Sequence, residues 1–179
     1  MATTIRDAAD SELDAILAIN NDAVPNVTTL TPEELAAFHR DAGYFRVAIS
    51  QGHLAGFLIA LLPEHDYGSP NFQWFKGNYD QFVYIDRVVV ASGFRGLGIG
   101  NVFYADVQSY AELRAPYLTC EVNLQPRNDV SLLFHGAQGF HEVGQQVDGE
   151  KRVSLLAKRL PSFEFIQERY GTAVSPVAS

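Results

Sequence analysis

VYIDRVVVASGFRGLGIGNVFYADVQ, residues 83–108, changes pattern twice. Val83 to Val90 is a β-branched run that reads as a buried strand. Ala91-Ser92-Gly93-Phe94 forms a turn, and Arg95-Gly96-Leu97-Gly98-Ile99-Gly100 follows. Beyond it, Val102, Phe103 and Val107, with Ala105, take a helical spacing. Strand, glycine loop and helix N-terminus together make a phosphate cradle. Amides without side chains in the way can converge on phosphate oxygens, and the helix dipole favours an anion by about 0.3–1 kcal/mol per exposed charge. Arg95 adds a full positive charge.

Glycine loops serve several ligands, and the spacing separates them. A dinucleotide fingerprint, Gly-x-Gly-x-x-Gly or Ala, would end on Asn101 counted from Gly96 and on Phe103 counted from Gly98. A P-loop ends in Gly-Lys-Ser/Thr, and this loop holds no lysine. What fits is Arg-x-x-Gly-x-Gly at Arg95, Gly98 and Gly100; the plain alternative is a glycine-rich strand-to-helix turn. Downstream, after a strand at Tyr117 to Val122, stands Asn128-Asp129-Val130-Ser131-Leu132-Leu133-Phe134-His135, then Gly139-Phe140.

The two motifs, in this order, resemble the GNAT superfamily of acyl-coenzyme A-dependent N-acyltransferases over about Phe45 to Leu160. The first resembles its pyrophosphate loop. The second resembles its later helix, with Asn, Ser or Ala three residues on, an aromatic or histidine seven on, and a closing Gly-Phe. The resemblance implies an α/β (α+β) fold with a mixed, mostly antiparallel central sheet of six to seven strands. That sheet is splayed between the fourth and fifth strands and flanked by about four helices. It makes 1–160 a single acetyltransferase domain and 161–179 a C-terminal extension, expected to be partly disordered.

The implied activity is transfer of an acetyl group from acetyl-CoA to a primary amine by direct attack in a ternary complex. The rival is a non-catalytic acyl-CoA-binding or regulatory module on the same fold. By resemblance, the main chain of Val88, Val89 and Val90 pairs with the pantetheine arm. Arg95, Gly96, Leu97, Gly98, Ile99 and Gly100 hold the diphosphate, and Asn128, Ser131 and Phe134 face the cofactor. Asn128 reads equally as a helix N-cap, and one asparagine can do both.

The base candidates are Glu121, ranked first because several family members carry a carboxylate on that strand, and Asp86. Arg87 next door makes a plain ion pair the alternative for Asp86. Tyr84 is a candidate relay and acceptor contact. His135 occupies the position where the family often has a tyrosine acid; surface helix or cofactor contact is its other reading.

Composition narrows the partners. Of 179 residues, 47% are apolar and 19% charged, which excludes a disordered chain. A net charge of −8 offers no basic face for nucleic acid or an anionic membrane, and mildly favours a cationic amine. The acceptor is a small-molecule amine or a peptide amine, and the resemblance also allows a homodimer. One cysteine, Cys120, forbids an internal disulfide; it reads as buried rather than as a nucleophile. The histidines lack metal-ligand spacing, so no metal is assigned. MATTIRDAAD has no signal-peptide core, and the expectation is a cytoplasmic protein.

The remaining elements follow local signals. Thr3 to Arg6 reads as a strand, Ser11 to Asn20 as an amphipathic helix, and Thr31-Pro32-Glu33-Glu34 as a helix start. Tyr44–Ser50 and His53–Leu62 form a hairpin, with Gly56 marking a bulge or a close backbone approach. Phe140–Val147 and Arg152–Lys158 form a closing hairpin, and Ser162–Tyr170 a short helix. Residues 63–80, PEHDYGSPNFQWFKGNYD, show no clean period and read as a long aromatic loop. Phe72, Trp74 and Tyr79 there either pack as a flap or line an acceptor pocket by cation–π contact.

Overall fold

The computed structural model describes residues 2–171 and divides into two compact units. One comprises Met1–His65 and Ile85–Gln108; the other comprises Asp66–Tyr84 and the chain from Ser109 on.

In the first unit, β1 (Thr3–Asp7) pairs antiparallel with β2 (Tyr44–Ser50), which pairs antiparallel with β3 (His53–Leu61). The register slips between Ala48 and Ile49, opposite Ala55. Both readings of Gly56 hold, because a Cβ built on it falls 2.3 Å from Val89 O. Between β1 and β2 lie α1 (Leu13–Asp22) and α2 (Pro32–Asp41). Thr31 and Glu34 close a capping box on α2: Glu34 N–H donates to Thr31 Oγ1 at 3.2 Å, and Thr31 N–H to Glu34 Oε2 at 2.8 Å. Such a cap contributes about 1 kcal/mol. α1 buries Ile16 and, unusually for a polar residue, Asn20.

β4 (Val83–Val90) begins in the second unit and runs into the first, and α4 (Ile99–Glu112) belongs to the first as far as Gln108. The second unit adds α3 (Pro70–Asn78), β5 (Tyr117–Gln125), α5 (Asp129–Ala137), β6 (His141–Asp148), β7 (Lys151–Arg159) and α6 (Pro161–Tyr170). Here β7 pairs antiparallel with β5 on one side and β6 on the other. β4 and β5 are parallel and share two pairs, Val83↔Leu118 and Tyr84↔Thr119. The architecture is therefore mixed α/β with seven strands among the described residues, mostly antiparallel and parallel at β4–β5.

Among the described residues six α-helices stand where about four were expected, and α3 corrects the reading of residues 63–80 as a loop. Pro70 occupies its first turn, and Phe72 and Phe75, three apart, are fully buried. Burying each ring contributes about 1.5–3 kcal/mol, which outweighs the weak propensity of a segment holding Pro70, Gly77 and three aromatics. α6 matches the short C-terminal helix. The disorder expected for Gly171–Ser179 lies, from residue 172 on, outside the described residues. Among the described residues no helix is long and apolar enough to cross a membrane.

Candidate active site

In the first unit, the glycine loop is open. Gly96 and Gly98 have φ of 76° and 77°, the left-handed region that side chains resist, and a Cβ built on either meets no atom within 4 Å. Arg95 to Gly98 are exposed, and Arg95 Nε donates to Val90 O at 3.4 Å, tying the loop to the end of β4. Directly after the loop, α4 buries Ile99, Phe103 and Val107 at four-residue spacing. The first N–H groups of a helix have no intrahelical acceptor. The space that a Cβ would fill at Gly96 and Gly98 stays open. Val89 is buried, whereas Val88 and Val90 are half-buried on the other side of β4.

Asp86, also in this unit, is committed. Arg87 Nε donates to its Oδ2 at 2.7 Å, and both side chains are buried. The same guanidinium donates to Asn20 Oδ1 at 3.0 Å, Thr28 O at 3.1 Å and Thr28 Oγ1 at 3.3 Å, and lies over the ring of Phe38. Nothing in sequence spacing pointed to Asn20 or Thr28 as partners of a residue about sixty positions away.

In the second unit the notable pair is Tyr84 and Glu121. The phenol donates to Glu121 Oε2 at 2.6 Å. Tyr84 is fully buried, its ring against Phe72 (5.4 Å between centroids) and Phe75 (5.8 Å), while Glu121 is half-exposed. Phe72 thus supports Tyr84 from the core and has no accessible surface for an acceptor. Trp74 and Tyr79 are half-buried, and Tyr79 meets Tyr117 edge-on at 5.0 Å. Cys120 is buried, and burial, with the Glu121 charge second, pushes its thiol well up.

Asn128 caps α5, its Oδ1 accepting from Ser131 N–H at 3.1 Å, and Arg127 pairs with Asp129. Phe134 is half-buried and edge-on to His135. His135 is buried, with Nδ1 2.7 Å from Ser131 O. A carbonyl only accepts, so Nδ1 carries the hydrogen, and the neutral ring has no proton on Nε2. Burial lowers the pKa of His135, partly offset by that bond to Ser131. Among the described residues no group of three His, Cys, Asp or Glu comes together to hold a metal.

The family model described as Acetyltransferase (GNAT) family matches residues 13–140. None of the curated proteins is significantly similar to the chain in sequence. Solved structures are similar in fold. Ard1 from Thermoplasma volcanium superposes with a TM-score of 0.72 at 17% identity, covering 89% of this chain and 99% of its own. Naa20 from Chaetomium thermophilum, solved with a bisubstrate analogue, gives 0.72 at 17%, covering 90% of this chain and 89% of its own. The ribosomal-protein-S18-alanine N-acetyltransferase from Escherichia coli gives 0.68 at 15%, covering 89% and 94%.

Proposed function

The chain belongs to the GNAT family of acetyltransferases, and from that premise we propose that it is an N-acetyltransferase moving an acetyl group from acetyl-CoA to a primary amine by direct attack. The observation that carries the reading is the loop at Gly96 and Gly98, left-handed, open and running straight into α4. Its amides and Arg95 are assigned to the diphosphate, the main chain of Val88 to Val90 to the pantetheine arm, and Asn128 and Ser131 to the cofactor side of α5. Bound acetyl-CoA supplies the thioester carbonyl that the amine attacks.

The chain's own residues must provide a neutral nucleophile. An alkylammonium of pKa ~10.4 is neutral only about once per thousand molecules at pH 7.4, a deficit of ~4 kcal/mol. Holding amine and thioester together can contribute up to ~7–11 kcal/mol, so positioning outweighs any single base. Glu121 is the carboxylate with exposed surface and is assigned the proton of the incoming ammonium; Asp86, buried against Arg87, is assigned structure. His135 has its Nδ1 hydrogen on Ser131 and is assigned to holding α5 rather than to acid catalysis.

The test is incubation with acetyl-CoA and a panel of small amines and short peptides with free N-termini, following thiol release. Acetylation within one half of the panel assigns the acceptor to that class. Coenzyme A binding with no thiol released by any amine would favour the non-catalytic module.

A further inference from the structure

We propose that α3 is the positioning element of the site: it fixes Tyr84, and through Tyr84 it sets where the Glu121 carboxylate points. This rests on the reading of Glu121 as the proton acceptor.

The register places the parts. Tyr84 pairs with Thr119, the last pair that β4 and β5 share, and Glu121 lies two residues further on the same face of β5. Glu121 is opposite Leu155 on β7, and Leu155 is opposite Gly144 on β6. Cross-strand partners present their side chains on one face, so Tyr84, Glu121, Leu155 and Gly144 look to the same side. α3 lies on that side at both ends of the row. Phe72 and Phe75 grip Tyr84 on β4, and Trp74 sits over Gly144 on β6, where a Cβ would fall 2.6 Å from its Cζ2. Gln146 Nε2 adds a bond to Pro70 O at 2.7 Å. The helix therefore spans β5 and β7 at the level of Glu121, and Leu155 beneath it is fully buried.

A half-exposed glutamate is otherwise free to sample rotamers, and fixing one costs up to about 2 kcal/mol. Here a buried phenol donates to it at 2.6 Å, a short charge-assisted bond. Phe72 and Phe75 of α3 both pack against the ring that carries this phenol. Of the titratable groups nearby, Tyr117 lies on the same face of β5 as Glu121 and meets Tyr79 edge-on, and three others are turned elsewhere. Lys76 is on the outer side of α3 over Phe72, Cys120 is on the opposite face by alternation, and Glu142 accepts from Ser154 on that opposite face.

The test uses full-length protein labelled with 13C at glutamate Cδ, with the Glu121 signal assigned by its loss in Glu121→Gln. Tyr84→Phe removes only the hydroxyl. Its Glu121 titration midpoint should rise by roughly one pH unit, since a bond to the charged form is lost. Turnover should fall about tenfold with coenzyme A affinity within twofold, and the acid limb of the pH profile should move up with the midpoint. Trp74→Ala, which loosens α3 without touching the pair, should shift the midpoint in the same direction by a smaller amount. An unchanged midpoint in Tyr84→Phe, in a protein that melts and binds cofactor normally, overturns the proposal. The midpoint decides this even if no amine in the panel is acetylated, a result that would count against the transferase reading alone.

Discussion

Asp86 and Arg87, consecutive in β4, form an ion pair whose side chains are 4% and 5% exposed, although alternation alone would send them to opposite faces. The Arg87 guanidinium is fixed by Asn20 and Thr28 as well, and no buried side-chain nitrogen or oxygen among the described residues lacks a partner. Arg87→Leu leaves a carboxylate buried and unpaired. It should cost about 3–5 kcal/mol in urea unfolding, and Asp86→Leu in the same chain should recover much of that. A single variant as stable as the parent would show that the pair contributes nothing.

Gly98→Val tests the loop. Open space around Gly98 admits the side chain sterically, but φ of 77° strains a β-branched residue by about 1–3 kcal/mol. Folding should survive while coenzyme A binding, read by calorimetry, disappears. Undiminished affinity would remove the diphosphate assignment.

Gly144→Ala tests the seat of α3. The added methyl meets the Trp74 indole at 2.6 Å, and overpacking of this kind costs about 1–3 kcal/mol. A lowered melting temperature is expected; an unaltered one would mean that α3 shifts freely.

Glu121→Gln should lower turnover by roughly a hundred- to ten-thousandfold, most at low pH, where neutral amine is scarcest. An equal loss at every pH would demote Glu121 from base to contact.

His135 gives the chain a pH-dependent stability of definite sign. Its pKa is lowered by folding, so the unfolded chain binds more protons as pH falls through the ordinary histidine value. Stability should be fully present above about pH 6.5 and decline below it. His135→Phe should flatten the melting temperature between pH 5 and 7. A slope of unchanged size would assign it to other groups.

Legibility in the sequence followed the range of the forces. The loop at Arg95–Gly100, the hairpin turning at Gly52 and the start at Thr31-Pro32 are local devices, and each stands where its residues indicated. Gly56 was readable as an anomaly, though not that Val89 O was what approached it. α3 was unreadable by period because two phenylalanines make a poor stripe; a core contributed by Phe82 and Tyr84 holds it, several positions beyond its end. Ser69-Pro70, followed by the Phe72–Phe75 spacing, was the available signal. The partners of Arg87 and the meeting of Tyr84 with Glu121 depend on strand register, which no window of sequence contains.

Trp74 is the sole tryptophan, and its indole rests on a residue seventy positions later in the chain. Tryptophan emission, excited selectively over the tyrosines, thus comes from a single joint, one that cannot close until the last hairpin has been laid down. Fluorescence during refolding is therefore a clock for the completion of β6, available without any added dye.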